Sequence, residues 1–109
     1  MGIHLSGPYP LTEDGVAEAV TASAPGVFAL GMMRNGAFYV GYVGRAELDL
    51  ARELDRHELA YSHFKFNFAD TAQDAFQKEC ELFHAFAPPA NAHPSRPRGS
   101  QAKCPICKK

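Results

Sequence analysis

The sequence predicts an α+β fold with a small three-stranded antiparallel sheet, made of a hairpin plus one strand and flanked by helices. Residues 26–45 read GVFALGMMRNGAFYVGYVGR, two apolar runs on either side of an Asn35-Gly36 turn signal. Residues 62–69 alternate between phenylalanine and polar residues, which is typical of a half-buried strand. We expect one domain over residues 1–89, with an N-terminal arm and helix, and a basic, proline-rich tail over 90–109.

The expected elements follow from local signals along the chain. Thr12 is a suitable cap for a first helix, and Pro88-Pro89 should end the last one. In order, the predicted elements are an irregular arm (1–11), a helix (about 13–23), two hairpin strands (26–30 and 37–43), a helix (about 47–60), a strand (62–69) and a helix (about 71–86).

Composition places the chain among globular proteins. Its 109 residues are 46% hydrophobic, which suffices for one modest core. No apolar run approaches the roughly 20 residues of a membrane span, and no basic-then-apolar leader opens the sequence. The chain has three cysteines, two of them in a CxxC, which favours a reducing compartment over a disulfide scaffold. We expect a cytoplasmic protein that does not bind membranes; its oligomeric state is not predicted.

Charge is distributed unevenly along the chain. The net charge is −1, but residues 1–81 hold all 12 acidic and six of the 11 basic residues, while residues 82–109 hold no acid and five bases. The basic tail would bind nucleic acid by releasing counterions, or would serve only as a solvated end.

The geometry of the hairpin decides whether its two strands can share a site. A two-residue loop in regular pairing would place Phe28 and Tyr42 on opposite faces of the sheet. A three-residue loop with Gly36 in a left-handed bulge would instead pair Met33 with Ala37 and bring Phe28 opposite Tyr42. We expect the three-residue loop.

Glu79 is the residue whose position is most informative. At about 100° per residue, it falls within the apolar stripe of the last helix, beside Ala72 and Phe83. A carboxylate facing a core is costly unless it is paired or binds a cation. Two interpretations follow: an ion pair with an arginine or lysine, or a ligand for Mg²⁺ or Mn²⁺, which prefer oxygen donors and keep several waters.

The order of these motifs resembles the GIY-YIG nuclease superfamily. Gly26-Val27-Phe28 matches the first half of its signature and Tyr42-Val43-Gly44 the second. The family carries a metal-binding glutamate on a late helix, four positions after a small or apolar residue, and Ala75 and Glu79 fit that spacing. The resemblance is strongest to small bacterial GIY-YIG-like proteins of unknown role with a C-terminal CxxC tail.

The resemblance implies roles for three further residues. Tyr42 would act on the attacking water, as a base or by positioning it, and Arg45 would offset charge on a phosphoryl oxygen. His57 would form a hydrogen bond near the scissile phosphate. Without the resemblance, each residue also has an ordinary structural interpretation: Tyr42 as a tyrosine at the edge of the core, Arg45 as a surface residue and His57 as a core histidine. Phe28, Arg56, Arg96 and Arg98 are the predicted substrate-binding residues.

Two positions depart from the family pattern. Phe28 stands where a tyrosine is usual, so that one hydroxyl is lost. Glu53 stands four residues before His57, where the family carries a catalytic arginine, and a glutamate there would repel phosphate. Arg56 lies close enough on a helix to replace that arginine in part.

The tail contains a separate metal motif. Cys104 and Cys107 form the CxxC and would supply two of the four ligands of a structural zinc. His93, His84 or a second chain would have to complete that site, and a disordered end is the alternative.

These residues and the resemblance together predict a metal-dependent nuclease that hydrolyses DNA or RNA, with DNA the favoured partner, and that uses Mg²⁺ or Mn²⁺. The rival is a catalytically inactive nucleic-acid-binding or regulatory module that keeps the scaffold, and Glu53 and Phe28 motivate it. A zinc-tailed interaction protein is a third option.

Overall fold

The computed structural model describes residues 5–57 and 60–86, and these ranges form an α+β fold, as predicted. The sheet is antiparallel and has four strands rather than three, in the order β1-β4-β2-β3. None of the helices in these ranges is long and apolar enough to cross a membrane. The elements are β1 (Ser6–Pro10), α1 (Glu13–Ala19), β2 (Gly26–Arg34), β3 (Ala37–Ala46), α2 (Leu50–Asp55), β4 (His63–Phe68) and α3 (Ala72–Phe86).

The fourth strand is the segment predicted to be an irregular arm. β1 pairs with β4, with Tyr9 opposite Phe64 and Pro10 opposite His63. The prediction was wrong because prolines were taken to exclude a strand. β1 lies at one edge of the sheet, where a proline needs no ladder hydrogen bond on its outer side.

The hairpin loop also differs from the prediction. Arg34 pairs with Ala37, which leaves a two-residue loop. Asn35 and Gly36 both have positive φ, 52° and 79°, as a type I′ turn requires. The predicted left-handed Gly36 is present, but the predicted three-residue loop is not.

A bulge in β3 nevertheless places Phe28 and Tyr42 on one face of the sheet. Gly31 pairs with Val40, whereas Leu30 pairs with Tyr42, so that Gly41 is an extra residue. The extra residue reverses the facing of the strand beyond it.

Gly41 itself has no room for a side chain. A Cβ there would lie 2.7 Å from Cε1 of Tyr61, because the Tyr61 ring lies against the bulge. The small residue thus allows the strand to bulge under an aromatic ring.

The first two helices are shorter than predicted. Thr12 caps α1 as expected, since its hydroxyl accepts the Gly15 N–H at 2.9 Å, but the helix ends at Ala19. α2 has six residues and begins after Asp49, whose side chain accepts the Arg52 N–H at 3.4 Å. A cap at this position starts the helix three residues later than predicted. β4 and α3 agree with the prediction to within about one residue.

The sheet buries a cluster on each side. The α2 face, which carries Phe28, Leu30 and Tyr42, packs on α1 and α2. The α3 face, which carries Val27 and Val43, packs on α3. β3 is an edge strand of the described sheet, so the two faces meet along it.

Candidate active site

The four predicted catalytic residues lie on β3, on α3 and just after α2. Tyr42 and Arg45 belong to β3, His57 follows α2, and Glu79 belongs to α3. Arg45 pairs with Val27 and therefore projects from the α3 face, opposite to Tyr42. The candidate site thus has two halves that meet at the edge strand.

The α2 half is a cluster of three aromatic rings. Ring centroids are 5.7 Å apart for Phe28 and His57, 5.5 Å for Tyr42 and His57, and 6.4 Å for Phe28 and Tyr42. Gly44 makes room for them, since a Cβ there would lie 2.6 Å from Cζ of Phe28 and 3.1 Å from Cε2 of Tyr42. The structure therefore brings together three residues that the sequence analysis singled out.

The α3 half is an ion pair around Arg45. Glu79 is only 7% exposed, which confirms its predicted place among apolar residues. Its Oε1 accepts a hydrogen bond from Nη1 of Arg45 at 2.7 Å. The guanidinium also lies over the ring of Phe76, 5.3 Å from its centroid. Of the two interpretations of Glu79, the ion pair is the contact that the structure shows.

Glu47 is a member of this cluster that the sequence analysis missed. Its Oε2 accepts hydrogen bonds from Nε and Nη2 of Arg45 at 3.0 and 2.7 Å. A signal was available, because side chains two positions apart along an extended chain share a face. An acid two residues after Arg45 at the end of a strand is therefore placed to contact it.

The two carboxylates keep Arg45 charged. Burial is the largest single influence on its pKa and lowers it, but the hydrogen bonds and charges of Glu47 and Glu79 outweigh burial and raise the pKa above its ordinary value. The guanidinium, which is a cation at any ordinary pH, is held between two carboxylates.

The pKa of the Tyr42 hydroxyl is influenced by residues of both halves of the site. Its pKa is raised, first by burial and then by the negative charges of Glu79 and Glu53. A raised pKa keeps the hydroxyl protonated at neutral pH, so that it suits orienting a water better than removing its proton.

Glu53 lies beside His57. Its Oε2 is 3.6 Å from Nε2 of His57, and its Oε1 is 3.4 Å from Nη1 of Arg56. The Arg56 side chain is 73% exposed, which leaves it at the rim rather than within the ring cluster. The position that the resemblance assigns to an arginine therefore presents a carboxylate next to His57.

The donor set limits which metal ion this site could hold. The described residues contain no group of three or more His, Cys, Asp or Glu side chains placed to bind a metal. Mg²⁺ needs no such group, because it commonly uses one or two carboxylates together with waters and substrate phosphate. Arg45 already supplies the positive charge between Glu47 and Glu79, so an ion at Glu79 would have to displace the hydrogen bond from Nη1 of Arg45.

Several predicted features lie outside the described residues. These are the substrate-binding Arg96 and Arg98, the CxxC cysteines Cys104 and Cys107, and the domain boundary at residue 89. The zinc site and the role of the tail stay predictions.

No known protein-family model, no curated protein and no solved structure matches this chain. Its fold and site define it as a small α+β domain with aromatic rings and an ion-paired arginine along one edge strand.

Proposed function

We propose that this chain is a metal-dependent nuclease of the GIY-YIG type, which hydrolyses phosphodiester bonds of DNA or RNA. One observation carries the proposal: side chains far apart in sequence converge along β3. Tyr42 lies against His57 on the α2 face, and Arg45 binds Glu79 on the α3 face of the same strand.

The charge of the site supports a requirement for a divalent ion. Glu47, Glu53 and Glu79 outnumber the guanidinium groups of Arg45 and Arg56 in this part of the structure. A phosphodiester would meet a net negative site unless a cation accompanied it. Mg²⁺ or Mn²⁺ bound at Glu79 would supply Lewis-acid polarisation of a phosphoryl oxygen.

Tyr42, Arg45 and His57 would orient the water, stabilise developing charge and contact the phosphate. The protonated Tyr42 hydroxyl would orient the attacking water by a hydrogen bond. Arg45 would place its charge beside the phosphoryl oxygens, where negative charge develops. His57, which lies against the rings of Phe28 and Tyr42, would contact the scissile phosphate.

The test is cleavage of plasmid, single-stranded DNA and RNA in the presence of Mg²⁺ or Mn²⁺. We expect cleavage by the wild type that requires the ion and is lost in Glu79→Ala. Glu18→Gln, at an exposed position of α1, is the matched control for loss of a carboxylate. Equal background cleavage by the wild type and Glu79→Ala would reject the proposal.

A second candidate is a catalytically inactive module that keeps the scaffold and binds nucleic acid or a regulatory partner. The observation that favours it is the closed charge network: Arg45 is engaged by Glu47 and Glu79, and Glu53 faces His57. Under this alternative the wild type does not cleave. Glu53→Arg, which restores the cation of the family pattern, should then produce cleavage or sharply increase affinity for nucleic acid. If it does neither, Glu53 is not what silences the site.

A further inference from the structure

We propose that Glu47 is a positioning residue for Arg45. It holds the guanidinium in a fixed orientation, so that Arg45 stays beside the site when its bond to Glu79 yields to a divalent ion. The inference rests on the proposed function and adds a residue that neither the motifs nor the resemblance assigns.

The geometry of the three side chains carries this inference. Glu47 takes Nε and Nη2, which form one side of the guanidinium, at 3.0 and 2.7 Å. Glu79 takes Nη1 at the other end, at 2.7 Å. Because an arginine presents its N–H groups in a rigid fork, these contacts use separate donors and one can break while the other persists.

The two carboxylates differ in environment in a way that suits these roles. The Glu79 side chain is 9% exposed and the Glu47 side chain 39% exposed. Because the Glu47 end of its pair with Arg45 is open to water, screening reduces what this pair contributes to stability. Two hydrogen bonds to one oxygen still restrict rotation of the guanidinium plane, which the ring of Phe76 contacts from one face. Glu47 is therefore better suited to orienting Arg45 than to stabilising the fold.

Loss of Glu47 should make Arg45 a stronger competitor of the divalent ion for Glu79. With Glu47 present, Arg45 retains two hydrogen bonds when an ion approaches Glu79. Without Glu47, Arg45 depends on its hydrogen bond to Glu79, and a divalent ion that displaces Arg45 from Glu79 does so at a higher cost in free energy. We expect Glu47→Ala to weaken Mn²⁺ binding about fivefold, the effect of about one hydrogen bond. Arg45→Gln removes the competing cation and should strengthen Mn²⁺ binding.

The experiment combines two measurements on the full chain. Electron paramagnetic resonance of free Mn²⁺ gives the affinity for the ion. The ¹⁵N-resolved Nε–H signal of Arg45 reports, without any metal, whether the guanidinium is held. We expect the signal to be sharp and slow to exchange in the wild type, Glu79→Gln and Glu47→Gln, since glutamine keeps an oxygen acceptor. In Glu47→Ala it should broaden and exchange rapidly. Glu13→Gln, an exposed acid on α1, is the control for loss of charge.

Two results separate the failures of the two proposals. If Glu47→Ala keeps the wild-type Nε–H signal, Glu47 does not position Arg45 and the inference is overturned, whatever the Mn²⁺ affinity. If the wild type and Arg45→Gln bind no Mn²⁺, the metal-dependent function fails. The Nε–H comparison between Glu47→Ala and Glu47→Gln then still decides the role of Glu47.

Discussion

Replacing Arg45 should destabilise the protein more than replacing either of its carboxylate partners. Arg45→Gln removes the cation beside Glu79, whose side chain is 9% exposed and cannot recover full hydration. Glu79→Gln leaves Arg45 with Glu47, which takes two of its N–H groups. Arg45→Gln should therefore cost more stability than Glu79→Gln.

The loss of unfolding free energy expected for Arg45→Gln lies between the values for a buried and an exposed ion pair. Breaking a fully buried ion pair costs roughly 3–5 kcal/mol, and an exposed pair contributes about 0–1 kcal/mol. With side chains 14% and 9% exposed, Arg45→Gln should lower the free energy of unfolding by about 2–3 kcal/mol. Glu79→Gln should lower it by about 1 kcal/mol, the net value of one hydrogen bond. For a domain of this size, 1 kcal/mol corresponds to about 4–8 °C in Tm.

Urea unfolding followed by circular dichroism measures both changes. The double variant Arg45→Gln/Glu79→Gln should be more stable than Arg45→Gln alone, because it no longer buries the carboxylate. The reasoning is refuted if Glu79→Gln costs as much as Arg45→Gln, or if adding Glu79→Gln to Arg45→Gln destabilises the protein further.

Two further predictions follow from the α2 half of the site and one from the turn. Gly44→Ala should cost about 1–3 kcal/mol in the same urea assay, because its Cβ would lie 2.6 Å from Cζ of Phe28; a cost below about 0.5 kcal/mol would contradict the packing. Gly36→Asn, at a φ of 79° with nothing within 4 Å of the Cβ position, is its control: it adds backbone strain without a steric clash and should cost about 1 kcal/mol or less. The raised pKa of Tyr42 stabilises the folded state below the ordinary tyrosine pKa of 10.0, and this contribution is lost as pH rises through the folded pKa. The Tm should therefore fall less steeply for Tyr42→Phe than for the wild type as the pH rises from about 8 to about 11. Equal slopes for the two proteins would contradict a raised Tyr42 pKa.

Periodicity predicted the parts of the fold that depend on local patterns. The alternation in β4 and the apolar stripe of α3 were sufficient to place both elements and to predict that Glu79 is buried. The cost of burying its charge then predicted a counter-ion or a metal ion, and the counter-ion is present in Arg45. Here the inference needed only the spacing of residues along one helix.

Features that depend on distant partners could not be predicted in the same way. β1 is a strand because β4 lies beside it, which its prolines do not indicate. The bulge at Gly41 forms beneath the ring of Tyr61, 20 positions further along the chain. Phe28 and Tyr42 do lie on one face, as predicted, but a bulge at Gly41 places them there and not a three-residue loop.

The most direct test of the convergent site is paramagnetic broadening by Mn²⁺, observed by NMR on the full chain. If Tyr42, His57, Arg45 and Glu79 form one ion-dependent site, low Mn²⁺ should broaden the ring signals of Tyr42 and His57 and the Nε–H signal of Arg45, and Glu79→Gln should abolish this effect. Broadening that is absent in the wild type, or unchanged in Glu79→Gln, would contradict the account.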